Sequence, residues 1–162
     1  MPQFQYREPE SLCDGTVSLA LKAYTEEVEE GRLHVPFYEF YVIDAATGEA
    51  AGGLVLRAGY NDHVTFRAGN IGYGISEGFR GRGYAVRACR LVERFAASLG
   101  MPYLVITTRP DNYASGRTAL NAGYSYAGTF TVPEEDEMYR EGERSVDRYV
   151  LMLARDCRCR NA

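Results

Sequence analysis

The segment most able to do chemistry is Arg80-Gly81-Arg82-Gly83-Tyr84-Ala85, which sets two arginines and two glycines directly before an amphipathic helical pattern. Glycine lets a backbone turn tightly and leaves several amide N–H groups exposed, and a helix N-terminus adds partial positive charge. Such a junction suits an anion of the pyrophosphate type, with Arg80 and Arg82 adding formal charge. The residues alone leave a second reading open, a tight strand-to-helix turn carrying two surface arginines. A Walker loop is excluded because no Gly-Lys followed by Ser or Thr occurs there, and the dinucleotide spacing G-x-G-x-x-G fails as well.

Other reactive groups are scattered. His63 follows Asn61-Asp62 in a polar stretch, and its neutral form is able to accept a proton near pH 7, although a lone loop histidine reads most simply as solvated. Tyr73 and Tyr113 lie near the loop in sequence, but in a chain with 13 tyrosines packing or surface roles are the simpler reading. Cys13, Cys89, Cys157 and Cys159 lack zinc spacing, since Cys157-Arg-Cys159 has neither a second CxxC nor a nearby histidine; free thiols and no metal are expected. Glu26, Glu27, Glu29 and Glu30 form an acidic run that either attracts a cationic molecule or is simply solvated, and Pro133 to Glu137 reads as a solvated acidic loop. Lys22 is the single lysine among 18 basic residues, which fits a coding bias toward arginine.

The elements that must position these groups follow from periodicity. Phe4 to Arg7 alternates like a short strand. Asp14 is a fit N-cap for a helix in which Val17, Ala20, Leu21, Tyr24 and Val28 share a face and Gly31 is the stop. Phe37 to Ile43 and Ala51 to Arg57 read as strands joined by a hairpin-like turn, and a third strand covers about Gly69 to Ile75. Ala85, Ala88, Cys89, Val92, Phe95, Ala96 and Leu99 trace one face of a long helix ending at Gly100. Tyr103 to Thr107 reads as a central strand buried on both faces. A shorter helix capped by Asp111 or Asn112 and stopping at Gly123 follows, then strands at Tyr124 to Val132 and Arg148 to Leu153. This order predicts an α/β or α+β domain with a mixed sheet.

A length of 162 residues argues for one domain spanning 1–162 with room for a core, and 46% apolar with 25% charged residues excludes a disordered chain. The net charge of −4 is no electrostatic match for nucleic acid. No window approaches the roughly 18 apolar residues of a membrane helix, and the N-terminus lacks a signal-peptide pattern, so no membrane partner and a cytoplasmic location are expected.

Residues 69–124 resemble the core of the GNAT superfamily of acyl-CoA-dependent N-acyltransferases, whose loop pattern is R/Q-x-x-G-x-G/A between a strand and a helix. Arg80, Gly83 and Ala85 stand at the patterned positions, with Gly81, Arg82 and Tyr84 between them. Downstream, Asn112 and Ser115 followed by Ala122-Gly123-Tyr124 are similar to the N-x-x-S then G-F/Y segment of that family. Leu56-Arg57, Asn61-Asp62, Gly69-Asn70-Ile71-Gly72-Tyr73 and Gly83-Tyr84-Ala85 are similar to a bacterial branch of acetyltransferases, with a general likeness to the ribosomal-protein N-terminal acetyltransferases. The resemblance implies a mixed, mostly antiparallel sheet of six to seven strands flanked by helices, with splayed central strands. It further implies that the amides of residues 81–85 hold the CoA pyrophosphate and that the backbone near Gly74 and Ile75 pairs with pantetheine. Asn112 and Ser115 would bond the cofactor from the other side.

The implied reaction is direct transfer of an acetyl group from acetyl-CoA to a primary amine of a small molecule or of a peptide or protein N-terminus; a homodimer stays open. In many members a Glu eleven residues before the first loop position is the base, and here that position is Gly69; a Tyr four residues before the second motif's Gly is the acid, and here it is Ala119. Tyr73 and His63 are the remaining side-chain candidates. Without them, backbone positioning beside a polarised thioester supplies the acceleration, and the rate is expected to follow the fraction of acceptor amine already deprotonated. A non-catalytic acyl-CoA-binding or sensing module, and an interaction domain without cofactor, are the alternatives.

Overall fold

The computed structural model describes residues 3–26 and 35–153. Along the chain run β1 (Leu12–Cys13), β2 (Val17–Thr25), β3 (Phe37–Asp44), β4 (Ala50–Arg57), a π-helical turn (Val64–Ala68), β5 (Ile71–Ile75) and a 3₁₀ turn (Glu77–Phe79). Next come α1 (Tyr84–Ser98), β6 (Tyr103–Thr108), α2 (Tyr113–Asn121), β7 (Ser125–Thr131), α3 (Glu137–Arg140) and β8 (Ser145–Met152). The first five strands make one antiparallel sheet in chain order, and the last three make a second in the order β6-β8-β7. The expected helix-flanked sheet with separating central strands is therefore present, as five strands and three. No helix among the described residues is long and apolar enough to cross a membrane.

The core lies between the larger sheet and α1. Ala88, Cys89, Leu91, Val92, Phe95 and Ala96 are buried on the helix, a heptad-like face that removes apolar surface from water at about 25 cal/mol per Å². Phe95 meets the rings of Tyr38 and Phe40 edge-on, at centroid distances of 5.0 and 6.0 Å. β6, expected as a central strand, is the edge of the smaller sheet and stands beside β5 of the larger one, with Leu104, Val105 and Ile106 buried.

The two sheets meet at one clamp. Asn70 is fully buried: its N–H donates to the Val105 carbonyl at 2.7 Å, and its Oδ1 accepts from the Val105 N–H at 2.9 Å. Its Nδ2 donates to the carbonyls of Arg57 and Gly59. A side-chain amide thus stands in for a ladder at the point where β5 and β6 approach, and no ladder joins the two strands beyond it among the described residues. The strands separate from there, which leaves the β5 edge open.

Two sequence-based expectations fail near the N-terminus. Phe4 to Arg7 forms no strand. Val17 to Thr25, expected as helix, is the strand β2, and the register to β3 shifts between Leu21 and Ala23, so Lys22 is the extra residue of a β-bulge. The bulge explains the error. Val17, Leu19 and Leu21 turn toward the core on odd positions, and after the extra residue Tyr24 does so on an even one. A strand with switched parity therefore places Val17, Leu21 and Tyr24 at steps of four and three, which imitates a helix. Asp14 does cap, but it closes a turn: its Oδ1 accepts from the N–H groups of Thr16 and Val17. Val28 and Gly31 lie outside the described residues.

Candidate active site

A cleft of about 630 Å³ opens between the β5 edge, the loop before α1 and the exposed side of α2. Tyr73, Gly74, Ile75, Arg80, Gly81, Gly83, Tyr84, Ala85, Asn112 and Ser115 line it, so most of the site residues expected from the sequence come together. Arg82 and His63 do not line it. Arg82 instead sits over the Phe79 ring, 5.4 Å from its centroid. Phe79, Val86, Ala114, Arg117, Thr118 and Asn121 also line the cleft and were missed. The 114, 117/118, 121 spacing on α2 was the available signal, since residues three and four apart share a helix face.

The loop is an anion cradle by its backbone. Gly81 and Gly83 have φ of 76° and 74°, a left-handed conformation that side chains disfavour, and Gly83 is the N-cap of α1. A Cβ built at either glycine meets nothing within 4 Å, so the space beside this backbone is open to the cleft. Unpaired first-turn amides and the helix dipole then face that space, with Arg80 and Arg117 on its rim. The cradle fits the diphosphate of a CoA molecule. Arg80 also ties the loop to β5, its Nε donating to the Ile75 carbonyl at 2.9 Å. The Tyr84 hydroxyl donates to the buried Asp44 carboxylate in the β3–β4 turn, so the Tyr84 side chain anchors the helix start. That bond raises the Tyr84 pKa and holds Asp44 below the usual carboxylate range.

The open strand edge is read from the register. Arg57 N–H donates to the Asn70 carbonyl and Ser76 N–H to the Ala51 carbonyl, at 2.7 and 2.8 Å. Pairs alternate along an antiparallel ladder, so Gly72 and Gly74 spend their main-chain groups on β4, while Tyr73 and Ile75 turn theirs to the gap. Tyr73 and Ile75, rather than Gly74, thus present the main chain that an extended amide-bearing arm would pair with. The Tyr73 hydroxyl lies 2.8 Å from Ser115 Oγ and 3.2 Å from the Ser115 carbonyl. Burial pushes the Tyr73 pKa up. Asn112 caps α2, its Oδ1 accepting from the Ser115 N–H at 3.1 Å, and its Nδ2 has no partner among the described residues. Tyr113, by contrast, is largely exposed.

Gly69 and Ala119 explain themselves. Gly69 has φ 75° and ψ 164°, a region essentially reserved to glycine, and a Cβ there would lie 2.9 Å from the Val105 carbonyl oxygen. Ala119 is fully buried inside α2.

His63 is not a solvated loop residue. It is buried, and its Nδ1 lies 2.9 Å from Asp136 Oδ2, while its Nε2 lies 3.6 Å from Glu137 Oε1. The acidic run is therefore only partly a solvated loop: Asp136 is 1% exposed, caps α3 through the Met138 N–H, and lies 3.5 Å from Arg67. Burial opposes ionisation of Asp136, but the His63 hydrogen bond, the Met138 amide and Arg67 outweigh it and leave the pKa below its ordinary value. Cys13 and Cys89 are free thiols, Cys89 buried and pushed up to about 12 by that burial; Cys157 and Cys159 lie outside the described residues.

A second groove of about 300 Å³ lies on the outer face of the larger sheet, with Lys22, Glu39, Tyr41 and Gly72 in its walls. It shares Tyr73 and Gly74 with the cleft, so the two meet across β5.

Among solved structures, RimL, a ribosomal L7/L12 alpha-N-protein acetyltransferase in complex with coenzyme A, has a TM-score of 0.58 and 24% identity over 74% of this chain and 64% of that one. The ribosomal-protein-S5-alanine acetyltransferase of Vibrio fischeri has a TM-score of 0.57 and 17% identity over 72% and 62%. The microcin C7 self-immunity acetyltransferase MccE, in complex with acetyl-CoA and AMP, has a TM-score of 0.55 and 20% identity over 72% and 61%. At these identities the likeness establishes the fold, and the chain spans less than two thirds of each neighbour's length. No curated protein sequence matches the chain. The family model for the acetyltransferase (GNAT) domain matches residues 4–125, three quarters of the chain, and the chain belongs to that family.

Proposed function

We propose that this chain transfers an acetyl group from acetyl-CoA directly to a primary amine, of a small molecule or of a peptide or protein N-terminus. The observation that carries the reading is the open cleft in which a left-handed glycine cradle at the start of α1 continues into an unpaired strand edge. An anion cradle alone fits many phosphates; the adjoining edge fits a ligand that carries amides beyond its diphosphate, as pantetheine does. The whole chain, 1–162, acts as one acyltransferase domain, with residues 69–124 as its cofactor-binding core. A cytoplasmic location belongs to the same proposal, supported by two free thiols.

In this reading Gly81, Gly83, Tyr84 and Ala85 hold the diphosphate through main-chain N–H groups, with Arg80 and Arg117 completing the charge. The free Nδ2 of Asn112 donates from the opposite wall. The N–H groups of Tyr73 and Ile75 aim into the gap, where one is placed to polarise a thioester carbonyl. Tyr73 faces the leaving sulfur as a hydrogen-bond donor. Full proton transfer from a tyrosine, pKa about 10, to a thiolate of pKa about 8.5 runs uphill by at least about 1.5 units. Burial widens that gap, so the phenol stabilises the thiolate without giving up its proton. The amine approaches from the outer groove, which reaches the same stretch of β5 from the other face.

The test is acetyl-CoA incubated with a panel of small amines and of peptides differing in their first residues, read by thiol release and product mass. Acetylated product with one equivalent of CoA supports transfer. Tight acetyl-CoA binding with no product from any amine favours the binding-module alternative.

A further inference from the structure

We propose that the outer groove selects a free basic amino acid of the lysine or ornithine type, whose side-chain amine is acetylated while Glu39 and Lys22 hold its α-ammonium and α-carboxylate. The assignment rests on the transfer reading above and names its acceptor. Two independent observations carry it: a bare strand floor, and a pair of opposite charges that do not meet.

The floor comes from the register of three strands. Tyr41 stands opposite Gly53 and Gly53 opposite Gly74, while Glu39 stands opposite Val55 and Val55 opposite Gly72. Tyr41 is exposed and its neighbours Phe40 and Val42 are buried, so both rows face outward. Glycine weakens a strand interior, and it is usually kept there for an unusual backbone angle or for lack of room. Neither reason applies here. Gly53, Gly72 and Gly74 are not among the glycines with positive φ. A Cβ would meet only the Phe40 carbonyl oxygen at 3.6 Å on Gly53 and Arg57 Nη1 at 3.7 Å on Gly72, and nothing within 4 Å on Gly74. Their bareness leaves a channel from β5 toward β3 in which an aliphatic arm can lie against the backbone.

At the far end of that channel the groove turns polar. Glu39 and Lys22 both line it, with Tyr41 beside them. Lys22, the extra residue of the β2 bulge, holds its Nζ 5.7 Å from the Tyr41 ring centroid. Neither charge forms an ion pair with the other or with any other described residue. Arg57, at the next outward position of β4, does not line the groove, and its Nη1 donates to the Gly69 carbonyl at 3.2 Å. A carboxylate and an ammonium that face one groove without pairing are complementary to a ligand carrying the reverse pair, and the head of an α-amino acid is such a pair. A diamine would satisfy Glu39 and be repelled by Lys22. A peptide spends its α-amine on the reaction and brings a neutral amide in place of the carboxylate.

Distance fits the same ligand. Neighbouring strands lie about 4.8 Å apart, so β3 stands roughly 10 Å from β5. The Glu39 arm and a charge-assisted hydrogen bond of about 2.8 Å take up part of that span. The aliphatic arm of ornithine or lysine covers the rest and brings its terminal amine to Tyr73 and Gly74, which the groove shares with the cleft. The side-chain ammonium loses one proton to solvent, and its lone pair attacks the thioester carbonyl carbon to form the C–N bond. The C–S bond breaks with its electron pair leaving on sulfur, and the second N–H proton ends on that thiolate.

The experiment measures kcat/KM with acetyl-CoA, by thiol release and product mass, for lysine, ornithine, cadaverine, ε-aminocaproate and an unblocked peptide. Cadaverine is lysine without its carboxylate, and ε-aminocaproate is lysine without its α-amine. The wild type is expected to favour lysine or ornithine over both by about tenfold or more, and to place the acetyl group on the side-chain amine. Glu39→Gln is expected to erase only the advantage over ε-aminocaproate, and Lys22→Gln only the advantage over cadaverine. Gly53→Val, whose Cβ has room, is expected to fold, to bind acetyl-CoA normally by calorimetry and to lose about tenfold or more with every acceptor. Cadaverine, ε-aminocaproate or the peptide matching lysine and ornithine in the wild type overturns the proposal alone. So do charge variants that leave the ratios unchanged, and acetylation of other amines but of neither amino acid. A wild type that binds acetyl-CoA yet acetylates no amine at all overturns the transfer reading and this one with it.

Discussion

The cleft beside β5 and the cluster around His63 are built in opposite ways. The cleft draws most of its lining from one contiguous stretch, residues 73–86, and presents main-chain amides, a helix start and glycines. The second is a side-chain cluster whose central pair, His63 and Asp136, is 73 residues apart in sequence. Two carboxylates also differ. Asp136 meets an imidazole, an amide and a guanidinium and is held below its usual pKa. Glu93, on α1, has Oε1 buried without a partner among the described residues, and burial pushes its pKa up to about 7. A main-chain site is fixed by local geometry. A side-chain site has to satisfy its own charges or it does not form.

The largest expected effect tests whether a carboxylate fits just before β5. Gly69→Glu would put a carboxylate directly on the β5 approach. The glycine-only backbone conformation costs about 1–3 kcal/mol for any side chain, and the Val105 carbonyl at 2.9 Å from the new Cβ adds overpacking of similar size. Thermal unfolding should show a loss of more than about 3 kcal/mol, with no gain in turnover. A stable variant would show that the backbone at Gly69 is less constrained than its conformation implies.

Gly83→Val comes next and probes the cleft alone. The left-handed φ of 74° penalises a branched residue, and the side chain would project into the open space of the cradle. Acetyl-CoA affinity should fall more than tenfold, on the order of 1.4 kcal/mol, by calorimetry. A folded variant with unchanged affinity would remove the diphosphate from this loop.

These sites differ in how far the sequence discloses them. The glycine loop, α1, β6 and the Asn112 cap were legible because each is a local pattern whose meaning does not depend on what lies across the fold. His63 was noticed as a residue and misplaced as an environment, since nothing near it in sequence announces Asp136. The acidic run at 133–137 looked solvated because composition cannot tell which of its carboxylates folds inward. β2 was misread for a different reason: the bulge at Lys22 switches the inward parity and counterfeits a helical period. A bulge is set by pairing with β3, which a single strand does not reveal.

Smaller is the effect of the half-buried Glu93 carboxylate on α1. The folded pKa of Glu93, about 7, lies above its ordinary 4.5, so the native state binds the proton more tightly than the unfolded chain. Its contribution is fully present below about pH 4.5 and is lost as pH rises through 7. Partial exposure screens the loss to about 1–2 kcal/mol. Glu93→Gln should therefore match the wild type in thermal stability near pH 4.5 and exceed it by a few degrees at pH 8. A constant difference across that range would mean that Glu93 ionises normally.

The smallest expected effect separates two jobs held by one side chain in the cleft. Asn112 accepts from the Ser115 N–H through Oδ1, and its Nδ2 is left for the cleft. Aspartate keeps the acceptor and is as good an N-cap, so Asn112→Asp should change stability by less than about 1 kcal/mol. It removes the Nδ2 donor and brings a negative charge toward the phosphate-binding wall. KM for acetyl-CoA should rise several-fold with a smaller change in kcat, because the lost donor serves cofactor binding and takes no part in the bond exchange. The rise should grow at low ionic strength, where charge repulsion is least screened. A KM unchanged at every salt concentration would reduce Asn112 to a helix cap. The cleft would then bind through main-chain groups and arginines alone, and its difference from the side-chain cluster around His63 would be sharper still.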